Sequence, residues 1–285
     1  MELCTLTSAD RDAVIDCFHR AFADYIVELK LSRDELIFMM DRRGADLECS
    51  VGAFEGDTMV AVMVVAVDAF EGVPSAYDVF TGVDPVARGQ SLARRMFETA
   101  LPAVRRRNAE RFVLEVVTEN AAAVHSYVKA GFAERRLLRV FAFDTIEPND
   151  LTVDEISVDE AFATRPPLCA RPSWQNSDAS IRRSGDEIVA LRVHGGDRTL
   201  GVAFDCPRSR DVPQIHVVDG RPDVLQALLA EARERNLGDG PLRVINVDGG
   251  AKEFGDALAL LADDEYLSQF EMVLPIDPSI TTPSD

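Results

Sequence analysis

Lysine, tryptophan and long apolar runs are scarce in this chain of 285 residues, which has three lysines and one tryptophan. The longest apolar stretch, Met59–Val67, is far shorter than the roughly 20 residues of a membrane-spanning helix, which excludes a transmembrane protein. Residues 1–5 carry neither a basic leader nor an apolar signal core. We therefore expect a cytoplasmic protein.

The chain also lacks closely spaced cysteines and histidines. Its five cysteines are scattered and none forms a C-x-x-C pair, and its four histidines are equally dispersed. A disulfide framework needs an even set of cysteines, and a zinc site needs ligands at short, regular spacing. The sequence therefore predicts neither disulfides nor a bound metal.

Positive charge is in deficit overall, because 30 basic residues face 49 acidic ones and give a net charge of −19. Such a surface repels nucleic acids and anionic membranes, and we exclude both as partners. Adaptation to high salt and a bias toward arginine codons both explain this composition. Residues 88–111 are the exception, with seven arginines and two glutamates. This basic segment indicates either an anionic ligand or a solvated helix face.

The patterns of apolar and turn residues predict a mixed α/β domain over residues 1–145. Ser32 and Glu35 form a capping box that opens a short helix, and Asn120 is a good N-cap for a later one. A helix from about Gly89 should kink or end at Pro102. The expected strands and helices are, in order, a helix capped by residues 7–10 that carries Val14 to Phe22, a short helix that carries Leu36 to Met40, strands 50–54, 58–67 and 76–83, a helix from about Gly89, strand 111–118, helix 121–130 and strand 137–143.

The second half repeats the order strand, strand, strand, helix, strand, helix, strand. The expected elements are strands 188–193, 198–204 and 214–218, helix 222–235, strand 242–247, helix 254–261 and strand 269–276. We therefore predict two α/β domains in tandem, each with a mixed central sheet flanked by helices. The first covers residues 1–145, a linker covers 146–158, the second domain covers 159–277, and 278–285 form a disordered tail.

The segment Gly82–Ala93 joins a predicted strand to a helix through a turn of small residues. The backbone amides of a helix's first turn have no partner within the helix, and the helix dipole is positive there. Small side chains at Gly89, Ser91 and Ala93 would let a diphosphate approach the backbone closely. The segment is a candidate phosphate site.

A second segment, Leu114–Phe132, narrows the class of protein to which the candidate phosphate site belongs. Asn120, Ala123, Tyr127, Gly131 and Phe132 meet the pattern N-x-x-A-x-x-x-Y-x-x-x-G-F in full. Arg88, Ser91 and Ala93 match the loop pattern R/Q-x-x-G-x-G/A, with Ser91 where glycine is usual. Together the two segments resemble the GNAT superfamily of acetyl-CoA-dependent N-acetyltransferases over roughly residues 1–145.

The resemblance implies a site for acetyl-CoA as co-substrate. It implies that the backbone of Val83 bonds the pantetheine arm and that Asn120, Ala123 and Tyr127 lie beside the thioester. The residues implied for the diphosphate are Arg88, Gly89, Gln90, Ser91, Leu92 and Ala93. A phenol is protonated at neutral pH, so Tyr127 suits the acid that protonates the departing CoA thiolate. Its alternative role is that of a core aromatic residue.

The base that takes the amine proton is less specified by the sequence. Asp78 and Glu115 lie in the third and fourth predicted strands of the first domain, near where such strands part, and either could serve. The resemblance also implies an acceptor entrance at Asp24, Tyr25 and Glu28, where negative charge would suit a cationic amine. His125 lies two helix positions from Tyr127, so we expect it to point elsewhere.

The second half has lost these features. Its equivalent loop, Val218–Asp223, contains a proline and two aspartates, which oppose phosphate, and no tyrosine follows at the matching place. It resembles a degenerate GNAT-like repeat that shapes the acceptor pocket or a homodimer interface. We expect an N-acetyltransferase for a primary amine of a small molecule or peptide. The alternatives are a CoA-sensing or protein-binding module without turnover, and an acidic scaffold.

Overall fold

The computed structural model contains both strands and helices, and it describes residues 1–27, 29–236 and 240–277. Glu28 and residues 278–285, for which we predict an acceptor contact and a disordered tail, lie outside the described residues. The helices and strands are β1 (Glu2–Thr5), α1 (Arg11–Ala21), α2 (Arg33–Arg43), β2 (Val51–Glu55), β3 (Thr58–Phe70), β4 (Val73–Val83), α3 (Leu92–Arg106), β5 (Arg111–Val117), α4 (Ala121–Lys129), β6 (Ala133–Phe143), β7 (Val153–Ile156), α5 (Val158–Thr164), α6 (Asp178–Arg183), β8 (Val189–Gly195), β9 (Arg198–Cys206), β10 (Asp211–Val217), α7 (Pro222–Glu234), β11 (Leu242–Asp248), α8 (Lys252–Ala259) and β12 (Asp264–Pro275).

The chain divides into two units by its internal contacts. The first consists of Met1–Arg135 with Glu271–Asp285, and the second of Arg136–Phe270. The predicted mixed α/β architecture is confirmed. The predicted order of three strands, helix, strand, helix and strand occurs twice, from β2 to β6 and from β8 to β12. The segment 146–158, predicted as a linker, contains strand β7.

In the first unit β1, β2, β3 and β4 pair antiparallel in sequence order, and β4 pairs with β5 in parallel. Strand β3 is buried almost throughout because α1 and α3 pack against it. Apolar residues at helical spacing, among them Val14, Cys17 and Phe18, bury the inner face of α1. A Cβ on Gly82 would come within 2.9 Å of Ala21 and Phe22, so the end of α1 presses directly on the end of β4.

Side-chain caps fix where the helices begin. The hydroxyl of Ser32 accepts a hydrogen bond from the Glu35 amide at 3.3 Å, and the Glu35 carboxylate accepts one from the Ser32 amide at 2.7 Å. This confirms the predicted capping box at α2. Asn120 Oδ1 accepts from the Ala123 amide at 3.2 Å and begins α4, as predicted.

Helix α3 departs from its prediction at both ends. It begins at Leu92 and not at Gly89, because Gly89 and Ser91 both have positive φ, which a right-handed helix cannot contain. It continues through Pro102 to Arg106, so of the two predicted effects of this proline, a kink or an end, the end is wrong. Phe97, Ala100, Ala103 and Val104 are buried on both sides of the proline, and this packing outweighs the lost backbone bond.

In the second unit β7, β8, β9 and β10 pair antiparallel in sequence order, and β11 pairs antiparallel with residues 138–143 of β6. Strands β10 and β11 are parallel and share a single register pair, Asp211↔Arg243. Buried apolar side chains of α7, including Leu225, Leu228 and Leu229, pack on this sheet. No helix of the described residues is long and apolar enough to cross a membrane.

Candidate active site

The first unit contains a cleft where β4 and β5 separate. The parallel register pairs run from Ser75↔Arg111 to Tyr77↔Val113, although the strands continue to Val83 and Val117. A cavity of about 490 Å³ opens beyond this point. It is lined by Met63, Asp78, Val83, Ala87, Arg88, Gly89, Ser91, Leu92, Ala93, Arg94, Phe97, Phe112, Leu114, His125, Ser126, Tyr127, Lys129, Ala130 and Phe132.

A bulge in β4 shapes the polar end of this cavity. Val65 pairs with Asp78 and Val64 with Phe80, so Val79 is one residue more than its partner strand accommodates. Residues three apart on a regular strand point to opposite faces. The extra residue brings Asp78 and Thr81 to the same face, where the Thr81 hydroxyl lies 2.8 Å from Asp78 Oδ2 and 3.0 Å from Oδ1.

Asp78 also accepts a hydrogen bond from the Tyr127 hydroxyl, with Oδ2 at 3.3 Å. Only 7% of Asp78 is exposed, and burial raises the pKa of its carboxyl to about 6, while the bonds from Thr81 and Tyr127 oppose this rise. Burial also raises the pKa of the Tyr127 phenol well above its ordinary value, helped by the charge of Asp78. At neutral pH the pair is therefore a mostly ionised carboxylate next to a protonated phenol.

Aromatic packing holds the Tyr127 ring in place. Its centroid lies 5.7 Å from that of Phe132, edge to face, and Phe132 contacts Phe97 and Phe112 at 5.5 and 6.1 Å in the same manner. Such edge-to-face pairs contribute beyond the area that they bury. One edge of the Tyr127 ring thus packs on this cluster, as its alternative role of a core aromatic residue predicts, while its hydroxyl faces Asp78.

Tyr25 reaches the same region from the segment after α1. Its phenol forms a hydrogen bond with the side chain of Asn120, and burial raises its pKa. Its ring contacts Phe22 edge to face at 5.2 Å. Tyr25 is thus joined to the start of α4, the helix that carries Tyr127.

The loop between β4 and α3 has the conformation expected of an anion site. Gly89 and Ser91 have φ values of 79° and 57°, both in the left-handed region. This turns the chain so that α3 begins at the cavity, and the first amides of α3 have no partner within the helix. Arg94 and Lys129 line the same cavity. Positive charge and unpaired amides together suit a diphosphate.

The guanidinium of Arg88 is used within the protein. It forms two bonds to the carboxylate of Asp24, at 2.7 and 2.6 Å, and donates to the backbone carbonyls of Val83 and Ala21 at 3.3 and 3.1 Å. The bond with Arg88 lowers the pKa of Asp24. The side chain therefore ties the segment at the end of α1 to the loop.

Glu115 lies apart from the cavity. Its neighbours on β5, Phe112 and Leu114, line the cavity, and alternation along the strand turns Glu115 to the other face. There it hydrogen-bonds the buried hydroxyl of Tyr77, whose pKa is raised well above its ordinary value by burial and by the charge of Glu115. Of the two carboxylates suggested by the sequence, the structure brings only Asp78 to Tyr127.

Some of the other predicted site residues line the cavity, and others do not. Val83, Arg88, Gly89, Ser91, Leu92 and Ala93 line the cavity, whereas Gln90, Asn120 and Ala123 do not. His125, expected to point elsewhere, lines the cavity as well, because α4 has no buried residue and turns much of its surface to the cleft. The sequence analysis missed Thr81, whose only signal is its position three residues after Asp78 in a strand that contains a bulge.

This chain is similar to known acetyltransferases in sequence and in fold. Residues 12–132 match the model of the acetyltransferase (GNAT) family. A search of curated proteins gives no match. Solved structures similar to this chain include a putative acetyltransferase from Pyrococcus horikoshii, with 14% identity and a TM-score of 0.67, covering 97% of this chain and 89% of the other.

Two further structures are similar over almost the whole chain. A GCN5-related N-acetyltransferase from Sphaerobacter thermophilus has 16% identity and a TM-score of 0.68, covering 99% of this chain and 97% of the other. A GCN5-related glucosamine N-acetyltransferase region of a fungal multi-domain GH3 β-N-acetylglucosaminidase has 12% identity and a TM-score of 0.71, covering 95% of this chain and 38% of the other. The fold of this chain is that of the GNAT acetyltransferases, whose family model matches residues 12–132.

Proposed function

We propose that the protein transfers an acetyl group from acetyl-CoA to a primary amine. One observation carries the proposal. In a cavity that begins at the first turn of α3, the Tyr127 hydroxyl lies 3.3 Å from the carboxylate of Asp78. A protonated acid and an ionised base are thus side by side at the parted strands, where an acyl transfer to an amine needs both.

The residues present fit acetyl-CoA as a substrate. The loop Gly89–Ala93 offers backbone amides, and Arg94 and Lys129 offer positive charge for a diphosphate. Phe112, Leu114 and Met63 give the cavity apolar walls for an uncharged arm. Ser91 stands where the family has glycine and has the positive φ that glycine adopts freely, so the loop keeps its shape at a cost in backbone strain.

Asp78 and Tyr127 divide the proton transfers between them. As the amine nitrogen bonds to the acetyl carbon, Asp78 accepts the proton that this nitrogen loses, because its pKa of about 6 leaves it ionised at neutral pH. Tyr127 gives its proton to the departing sulfur, and the hydrogen bond between the two side chains returns the proton of Asp78 to Tyr127. The nitrogen–carbon bond forms, the carbon–sulfur bond breaks, and one proton moves from nitrogen to sulfur.

A panel of primary amines tested for acetyl-CoA-dependent thiol release examines this proposal directly. We expect release with at least one amine, together with one CoA bound per chain in calorimetry. Binding of CoA without release for any amine would favour the alternative of a CoA-sensing module. Absence of CoA binding would refute the site itself.

A double-mutant cycle tests the shared proton path. Asp78→Asn and Tyr127→Phe each remove one member of the pair and keep its shape. If both act on one proton path, the double variant should be no slower than the slower single variant, as for other residues that act as a unit. Losses that multiply would show that the two side chains act independently.

A further inference from the structure

The second unit has a cavity of its own, of about 430 Å³, at the place that the cavity of the first unit occupies in the repeated order of elements. It lies at the end of β10, beside the loop before α7 and the first turns of α8. Leu168, Val217, Leu225 and Phe254 contribute to its apolar walls. Its volume is within the range of cavities that hold small molecules.

The chain itself fills the gap between the two parted strands of this unit. Beyond the single pair of β10 and β11, the amide of Val217 donates to the sulfur of Cys169 at 3.3 Å, and His216 Nδ1 lies 2.9 Å from the carbonyl oxygen of Pro166. The side-chain Nδ2 of Asn176 donates to the backbone carbonyl of Ile245, on the other strand, at 2.7 Å. Residues 166–176 thus bond one backbone amide of β10 and one backbone carbonyl of β11.

The cavity has the opposite charge from that of the first unit. Asp219 and Glu253 are the only charged residues that line it, and neither has an ion-pair partner among residues 1–27, 29–236 and 240–277. Arg221, next to the loop, is paired with Asp223. Pro222 at the first position of α7 removes a backbone amide. A phosphate would meet two carboxylates and no unpaired cation here.

We propose that this cavity binds a small organic cation, an ammonium group on an apolar aryl or alkyl body. The apolar walls accept the body by burial from water. Asp219 and Glu253, both of which are exposed, attract the ammonium group from the edge of the cavity. The site is separate from the residues of the proposed acetyl transfer, and it does not depend on that proposal.

Calorimetry on the full chain with three matched probes tests the inference. The probes are 2-phenylethylammonium, 2-phenylethanol and phenylacetate, which share one ring and differ in charge. We expect the ammonium to bind about tenfold more tightly than the alcohol, which corresponds to about 1.4 kcal/mol shared between two exposed ion pairs. Binding should weaken as salt rises, because salt screens such pairs. Phenylacetate should not bind. Equal affinity for the ammonium and the alcohol would overturn the proposal.

Variants separate this site from an amine site in the first unit. Asp219→Asn, which keeps a residue that tolerates the positive φ of 52°, and Glu253→Gln should each weaken binding of the ammonium probe about threefold. Asp197→Asn removes the same charge from an exposed turn of the second unit and should leave binding unchanged. The ammonium probe should also slow alkylation of the Cys169 thiol, which lines the cavity. Unchanged affinity for the ammonium probe in both variants would overturn the proposal. An unchanged rate of Cys169 alkylation in the presence of the probe would overturn it as well.

Discussion

Replacing Ser91 by glycine tests the strained loop of the candidate active site. Ser91 has a φ of 57° and makes no capping hydrogen bond with its side chain. The left-handed region costs an L-residue about 1–2 kcal/mol, which glycine avoids. Glycine loses more backbone entropy on folding, by about 0.5–1 kcal/mol. Ser91→Gly should therefore raise the free energy of unfolding by about 0.5–1 kcal/mol.

The same substitution should tighten CoA binding. Removing the Cβ gives the diphosphate closer access to the loop backbone, and we expect CoA affinity to rise by roughly threefold, which corresponds to about 0.6 kcal/mol. The assays are urea denaturation and calorimetry with CoA. Asn108→Gly is the matched control, because Asn108 follows α3 with a φ of 60° and is exposed. It should leave CoA affinity unchanged.

A loss of CoA affinity in Ser91→Gly would refute this reasoning. It would mean that the Ser91 hydroxyl donates a hydrogen bond to phosphate and that this bond outweighs the strain. A loss of stability would show that the φ of 57° is not strained in this loop.

Three further substitutions probe other parts of the account. Thr81→Val removes a hydrogen bond that favours the ionised form of Asp78, so the pKa of Asp78 should rise. The acidic limb of the pH profile of kcat/KM should then move up by about one pH unit from about 6, and Thr81→Ser should restore it. An unmoved limb would exclude Asp78 as the titrating base. Asp24→Asn should change CoA affinity less than about twofold, since its partner Arg88 acts within the protein; a tenfold gain would show that Asp24 competes with phosphate. Burial raises the pKa of Asp205 to about 7, so the stability that its protonated form contributes is lost as pH rises from about 4 to 7. Asp205→Asn should therefore raise the free energy of unfolding by about 1–3 kcal/mol at pH 8 and by less at pH 5, and equal changes at both pH values would contradict the assignment.

Local signals in the sequence predicted most of the first unit. Helices α2 and α4 begin at Ser32 and Asn120 because one side chain bonds the first amides, and such a cap depends on residues three apart. Hairpin strands β2 and β3 follow from apolar residues on either side of Gly56, which has the positive φ that the turn needs. These features need no knowledge of distant residues.

Features set by packing between distant segments were missed. Pro102 does not end α3, because the burial of Phe97 and Val104 is a tertiary effect that local propensity does not contain. The bulge at Val79 brings the side chains of Asp78 and Thr81 to the same face of β4, and it depends on how β4 pairs with β3. The pairing of Arg88 with Asp24 spans 64 residues of sequence. Sequence alone left Asp78 and Glu115 equivalent, and strand alternation together with the bulge distinguishes them.

The turnover of Tyr127→Phe tests the central claim most directly. The substitution removes one oxygen and keeps the ring packed on Phe132, so CoA affinity and stability should remain close to those of the unaltered protein. If Tyr127 protonates the departing sulfur, kcat on an active amine should fall by about 100-fold. Tyr266→Phe, at an exposed position of the second unit, is the control and should keep full turnover. Full turnover in Tyr127→Phe would contradict the assignment of Tyr127 as the acid.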